Sequence, residues 1–136
     1  MQRSLFISNK RIQKTEVPSL KIKDGNRIYT WSNGRSYIEW ADGDKVWYLN
    51  GNLHRVDGPA IEWANGTKEW YLNCKRHRED GPAIEWANGT KAWYLNGKHH
   101  REDGPAIERA NGDKEWYLNG EEYTKEEYDK IIRDSI

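Results

Sequence analysis

The chain repeats itself every 23 residues, and that period decides most of what it can fold into. Ile38, Ile61, Ile84 and Ile107 stand in register, as do Trp47, Trp70, Trp93 and Trp116, each followed by Tyr-Leu-Asn. A linker reading His-Arg-x-Asp-Gly-Pro-Ala joins the units three times, from His54 to Ala60, from His77 to Ala83 and from His100 to Ala106. A fixed period of roughly 20–50 residues marks an array of stacked supersecondary units in place of one irregular core. Clear units span 38–120. Trp31-Ser32-Asn33-Gly34 echoes Trp63-Ala64-Asn65-Gly66 and marks a degenerate earlier unit.

Each unit reads as a β-hairpin. Aromatic and β-branched runs flank Asn65-Gly66, Asn88-Gly89 and Asn111-Gly112, with Asp42-Gly43 in the first unit. Asn-Gly accepts the positive φ of a two-residue type I′ turn, the strongest short-range hairpin signal. That loop sets Trp63 opposite Lys68, Ile61 opposite Trp70 and Pro59 opposite Leu72, all on one face because side chains alternate with period two. The other face then carries Ala60, Glu62, Ala64, Thr67, Glu69 and Tyr71. A three-residue loop would pair Glu62 with Lys68 but scatter the apolar positions over both faces, so the two-residue loop is the expectation. The fold class predicted is all-β: an extended, single-layer antiparallel meander of hairpin repeats with a short C-terminal capping helix.

The helix is legible in Thr124-Lys125-Glu126-Glu127, a capping box, with Tyr123 and Tyr128 at the positions of a hydrophobic staple. Tyr128, Ile131 and Ile132 form one stripe, which predicts a helix over about 125–134. The chain divides into a basic N-terminal segment (1–23), the hairpin array (24–120) and the capping segment (121–136). Residues 1–23 carry Arg3, Lys10, Arg11, Lys14, Lys21 and Lys23 against Glu16 alone, whereas 121–136 carry six acids and three bases. A solvated or partner-docked arm is favoured over a phosphate-binding one. Over the whole chain 22 bases balance 22 acids, which removes the usual electrostatic case for a nucleic-acid or anionic-membrane partner.

A mean hydropathy of −1.13 would suggest a chain too polar to fold. Eight Trp and eight Tyr reverse that reading, because each large ring buries on the order of 150–250 Å². The tryptophan row is expected on one face, part core and part exposed binding stripe, with Lys68, Lys91 and Lys114 lying across the rings. Cys74 is the only cysteine, so no intrachain disulfide forms and a reducing, cytoplasmic setting is expected. No segment approaches the roughly 20 apolar residues of a membrane span.

The run Asn-Gly-Lys-His-His followed by Ala-Asn-Gly-Asp-Lys, with Trp-Tyr at strand centres, resembles MORN repeats over about 38–120. The linker departs from that pattern, where MORN units carry His-Gly-x-Gly. It looks closer to variant arrays with His-Arg-Glu-Asp-Gly-Pro-Ala linkers and a C-terminal Tyr-x-x-Glu-Glu helix found in phages and large DNA viruses. The resemblance implies a non-catalytic platform for binding proteins, with lipid binding proposed for some MORN members. It supplies no catalytic residues, and it implies a host cytoplasm as the setting.

Candidate chemistry is sparse. His54, His77 and His100 lie one unit apart, roughly 10 Å at ~4.8 Å per strand, too far to share one metal ion. Cys74 and His77 make a half-site without a second half. Arg55 with Asp57, Arg78 with Asp80 and Arg101 with Asp103 read as turn chemistry. Glu62 and Glu69 could mimic a glycosidase pair but read better as a wet sheet face. Neither a catalytic residue, a metal nor a cofactor is expected. The expected function is protein binding, as a viral or phage adaptor or inhibitor of a host defence protein. Tyr71, Tyr94 and Tyr117 with the linker rows Arg55, Arg78, Arg101, His54, His77 and His100 would make the contacts, and Trp40, Trp63 and Trp86 a possible aromatic stripe. A homodimer through a sheet edge or face is compatible with near-identical units. The alternative is a nucleotide or single-stranded nucleic acid stacked on the aromatic face, which the charge balance disfavours.

Overall fold

The computed structural model describes residues 17–136. The calls on Arg3, Lys10, Arg11, Lys14 and Glu16 lie outside the described residues. Within them the chain forms a 12-stranded antiparallel sheet in hairpin order, flanked by two small two-stranded sheets and closed by one C-terminal helix. The sheet begins earlier than expected: β1 (Ser19–Lys23) pairs with β2 (Asn26–Thr30), and then come β3 (Arg35–Glu39) and β4 (Lys45–Leu49).

The hairpin register differs from the expectation. Ile61 faces Glu69 and Glu62 faces Lys68, not Ile61–Trp70 and Trp63–Lys68. The loop has three residues, closed by Trp63 N–H donating to the Thr67 carbonyl at 2.8 Å. Only Gly66 has positive φ, at 97°, as in a type I turn followed by a left-handed residue. Asn65 does not take the left-handed place. Its Oδ1 accepts from Thr67 N–H at 2.8 Å, and Asp42, Asn88 and Asn111 repeat that bond. The side chain thus supplies the turn's acceptor and holds the asparagine right-handed. The type I′ pair sits at the other Asn-Gly, where Asn50 and Gly51 both have positive φ and Leu49 faces Asn52 across a two-residue turn.

This register divides the side chains between two faces. On the first, the ring face, lie Ile61, Trp63, Thr67, Glu69 and Tyr71. On the second, the linker face, lie Ala60, Glu62, Lys68 and Trp70. The two tryptophan rows expected together are therefore on opposite sides, and so are Glu62 and Glu69. On the linker face an alternating column runs Glu39, Lys45, Glu62, Lys68, Glu85, Lys91, Glu108, Lys114, each opposite the next. Opposite charges across strands are favourable, which explains why so polar a strand pairs at all.

The core is thin. Ile61, Ile84, Ile107, Val46 and Ala92 are buried on the ring face; Ala60, Ala83 and Ala106 are fully buried on the other. The linkers fold back over the linker face as a second, incomplete layer. The guanidiniums of Arg55, Arg78 and Arg101 stack 3.8, 3.9 and 3.8 Å from the ring centres of Trp47, Trp70 and Trp93. Arginine takes the place expected of lysine because its flat cation stacks on an indole while its edge still donates. After the last unit no linker follows, and α1 (Lys125–Asp134) packs on the final strands with the expected capping box. Tyr128 is its buried anchor, donating to the Arg101 carbonyl at 2.6 Å and accepting from Gly104 N–H.

Candidate binding surface

The linker residues are used internally. His54, His77 and His100 each accept through Nδ1 from the backbone N–H of the asparagine opening the next unit's tight turn, Asn73, Asn96 and Asn119, at 2.9–3.0 Å. That acceptor role puts the proton on Nε2, which in His77 and His100 faces Glu79 and Glu102. Arg78 donates to Asp80, to the Pro82 carbonyl and to Glu85 of the next hairpin. Arg55 and Arg101 do the same in their linkers. These six residues splice neighbouring units, and little of the guanidiniums reaches solvent. Cys74 is exposed and takes the place of glycine in its tight turn, with φ 66°. Among the described residues no cluster of His, Cys, Asp or Glu has the makings of a metal site.

The ring face is open. Trp40, Trp63 and Trp86 are 41%, 39% and 40% exposed and stand one unit apart. Beside them runs a second row in which Tyr48, Tyr71, Tyr94 and Tyr117 alternate with Leu53, Arg76, His99 and Glu122. Arg76 lies between the Tyr71 and Tyr94 rings at 5.6 and 5.5 Å. His99 lies between Tyr94 and Tyr117 at 4.1 and 4.9 Å. Burial, with Arg76 close by, pushes the His99 imidazole down.

Between the two rows sits Glu69, buried and accepting from Trp63 Nε1 at 2.6 Å, the Tyr71 hydroxyl at 3.0 Å and Arg76 at 3.3 Å. Burial and this carboxylate push the Tyr71 phenol up to about 12. Arg109, standing where the other units have tryptophan, makes the same link as an ion pair with Glu115 at 2.6 Å.

The row Leu53, Arg76, His99, Glu122 leaves no trace in the 23-residue repetition. These residues share one place in the unit and differ in every copy. So do Val46, Glu69, Ala92 and Glu115 in part, and Trp40, Trp63, Trp86 and Arg109 at the last. These three places and Asp44, Thr67, Thr90, Asp113 vary on the ring face, and Asn52, Lys75, Lys98, Glu121 with Val56, Glu79, Glu102 vary on the linker side, where Glu62, Lys68, Trp70 and Arg78 recur unchanged. No protein-family model and no curated protein sequence matches the chain. Among the described residues no helix is long and apolar enough to cross a membrane.

Proposed function

We propose that the chain is a non-catalytic protein-binding module whose ring face engages its partner. One observation carries the reading: three tryptophans in register on one face of the sheet, each about 40% exposed. Exposed aromatic patches of this kind mark interaction sites, and aromatic residues are enriched at the buried centres of interfaces. The resemblance of the linkers to phage and large-virus arrays makes a host factor the partner we propose, with inhibition of a defence protein as the role.

Tyr71, Tyr94 and Tyr117 remain in the proposed contact surface. The Arg and His rows move to its support, since their polar atoms are bound within the chain. Stacked nucleobases are the weaker reading: within the units Arg76 and Arg109 are tied to Glu69 and Glu115, and the lysine column lies on the opposite face.

The test is capture from host lysate by the full chain and by Trp63→Ala/Trp86→Ala, followed by mass spectrometry and purified-partner titration. A protein retained by the first and lost by the second supports the reading. Equal retention by both, or oligonucleotide binding that falls steeply with salt, overturns it.

A further inference from the structure

On the linker face, adjacent linkers enclose a row of equivalent grooves. One of about 710 Å³ has Trp70 and Leu72 as its floor and residues 55–58 and 77–80 as its walls. The next, of about 730 Å³, has Trp93 and Leu95 below and the linkers starting at Arg78 and His100 on either side. A third, of about 500 Å³, lies over Trp47 and Leu49.

The walls are charged unevenly. Around Trp93 two guanidiniums, Arg78 and Arg101, face four carboxylates, Glu79, Asp80, Glu102 and Asp103. Around Trp70 two face three, and around Trp47 Arg35 and Arg55 face Asp57 alone. Accessibility widens the difference. Asp80 is 88% exposed and Glu79 83%, while Arg78, pressed onto its indole, is only 23% exposed. The cations are spent inward and the carboxylates point to solvent. Each carboxylate offers about four acceptor positions and makes one hydrogen bond within the chain.

We propose that the grooves over Trp70 and Trp93 bind an extended basic peptide segment whose cationic side chains are three residues apart. An apolar floor under an acidic rim fits a Lys or Arg side chain, whose methylene stem lies on apolar surface while its head reaches the carboxylates. Spacing supplies the second argument. Successive grooves are one hairpin apart, two strand separations or about 10 Å, and three residues of chain extended as polyproline II rise about 9 Å and return the side chain to the same face. The site faces away from the tryptophans of the ring face, so it is a second surface, independent of the partner proposed above.

Calorimetric titration of the full chain with acetyl-Gly-Ser-Arg-Gly-Ser-Arg-Gly-Ser-amide tests this, against an isomer that sets the two arginines side by side. The spaced peptide is expected to bind roughly tenfold tighter, since only it fills two grooves. Glu79→Gln/Glu102→Gln should bring it to the level of the isomer. Trp63→Ala/Trp86→Ala should leave its affinity unchanged even where the ring-face partner is lost. Equal affinity for the two isomers, or full affinity in the glutamine variant, overturns the proposal. A variant whose circular dichroism shows unfolding is replaced by Asp103→Asn, read the same way.

Discussion

The Arg78 guanidinium stacks 3.9 Å from the centre of the Trp70 ring while the same group donates to Asp80, Pro82 and Glu85. One side chain thereby joins its own strand, its own linker and the next hairpin. The geometry also explains the glycine in every linker: a Cβ on Gly81 would sit 2.9 Å from Arg78 Cζ, and Gly58 and Gly104 repeat this with Arg55 and Arg101. Arg78→Ala should cost about 2–3 kcal/mol, the sum expected of a partly buried cation–π contact and charged hydrogen bonds. Arg78→Lys should recover only a small part, because an ammonium cannot stack and donate edge-on together. Urea denaturation of the three proteins checks both; equal stability of the lysine variant and the parent would contradict the account.

Cys74 is the one departure from glycine in the tight turns of the array, and it adopts φ 66° where Gly51, Gly97 and Gly120 adopt 82–85°. A left-handed conformation costs a residue with a Cβ roughly 1–2 kcal/mol, part of which glycine returns through its freer unfolded chain. Cys74→Gly should therefore stabilise the protein by about 0.5–1 kcal/mol, read as a rise in melting temperature. Cys74→Ala, which keeps the Cβ, should not.

The hairpins, the period and the capping helix were legible because each rests on local chemistry: turn residues, alternation, Thr124 with Glu127. The register was not, because Asn65-Gly66 is consistent with two turns. An asparagine that goes left-handed gives two loop residues; one that turns its side chain back to Thr67 gives three. The Glu–Lys column decides between them, since only the three-residue loop sets Glu62 against Lys68 and avoids Glu62 against Glu69. Reading charge pairs before apolar faces would have found it. Which cation covers the indoles was hidden for another reason: the linker folds over the sheet, a tertiary event that strand alternation does not encode.

Alkaline stability should report the Glu69 site. The Tyr71 hydroxyl donates to a buried carboxylate, and burial with that charge raises its pKa from the usual 10 to about 12. The unfolded chain ionises this phenol first, so its contribution is fully present below about pH 10 and is lost as the pH climbs through about 12. Tyr37, Tyr117, Tyr123 and Tyr128 are raised as well, so ultraviolet titration should show a group of late-ionising phenols that loses one member in Tyr71→Phe. The same variant should flatten the fall of stability across that window, and an unaltered late component would mean that Tyr71 does not belong to it.

At the acid end the same row supplies a second titration. His99 is held between Tyr94 and Tyr117, its Nδ1 is buried without a partner, and burial lowers its pKa, with Arg76 adding to the shift and Glu115 opposing it. Because the folded chain takes up this proton less readily than the unfolded one, its contribution is complete above pH 6.5 and is lost as the pH falls below it. Replacing the imidazole with a ring that does not titrate, His99→Phe, should keep the stack between the tyrosines and remove this component. Stability measured by urea between pH 7 and 5 should fall less steeply in the variant than in the parent. Equal slopes would mean that the imidazole is solvated in solution and that the tyrosine row is looser than its geometry implies.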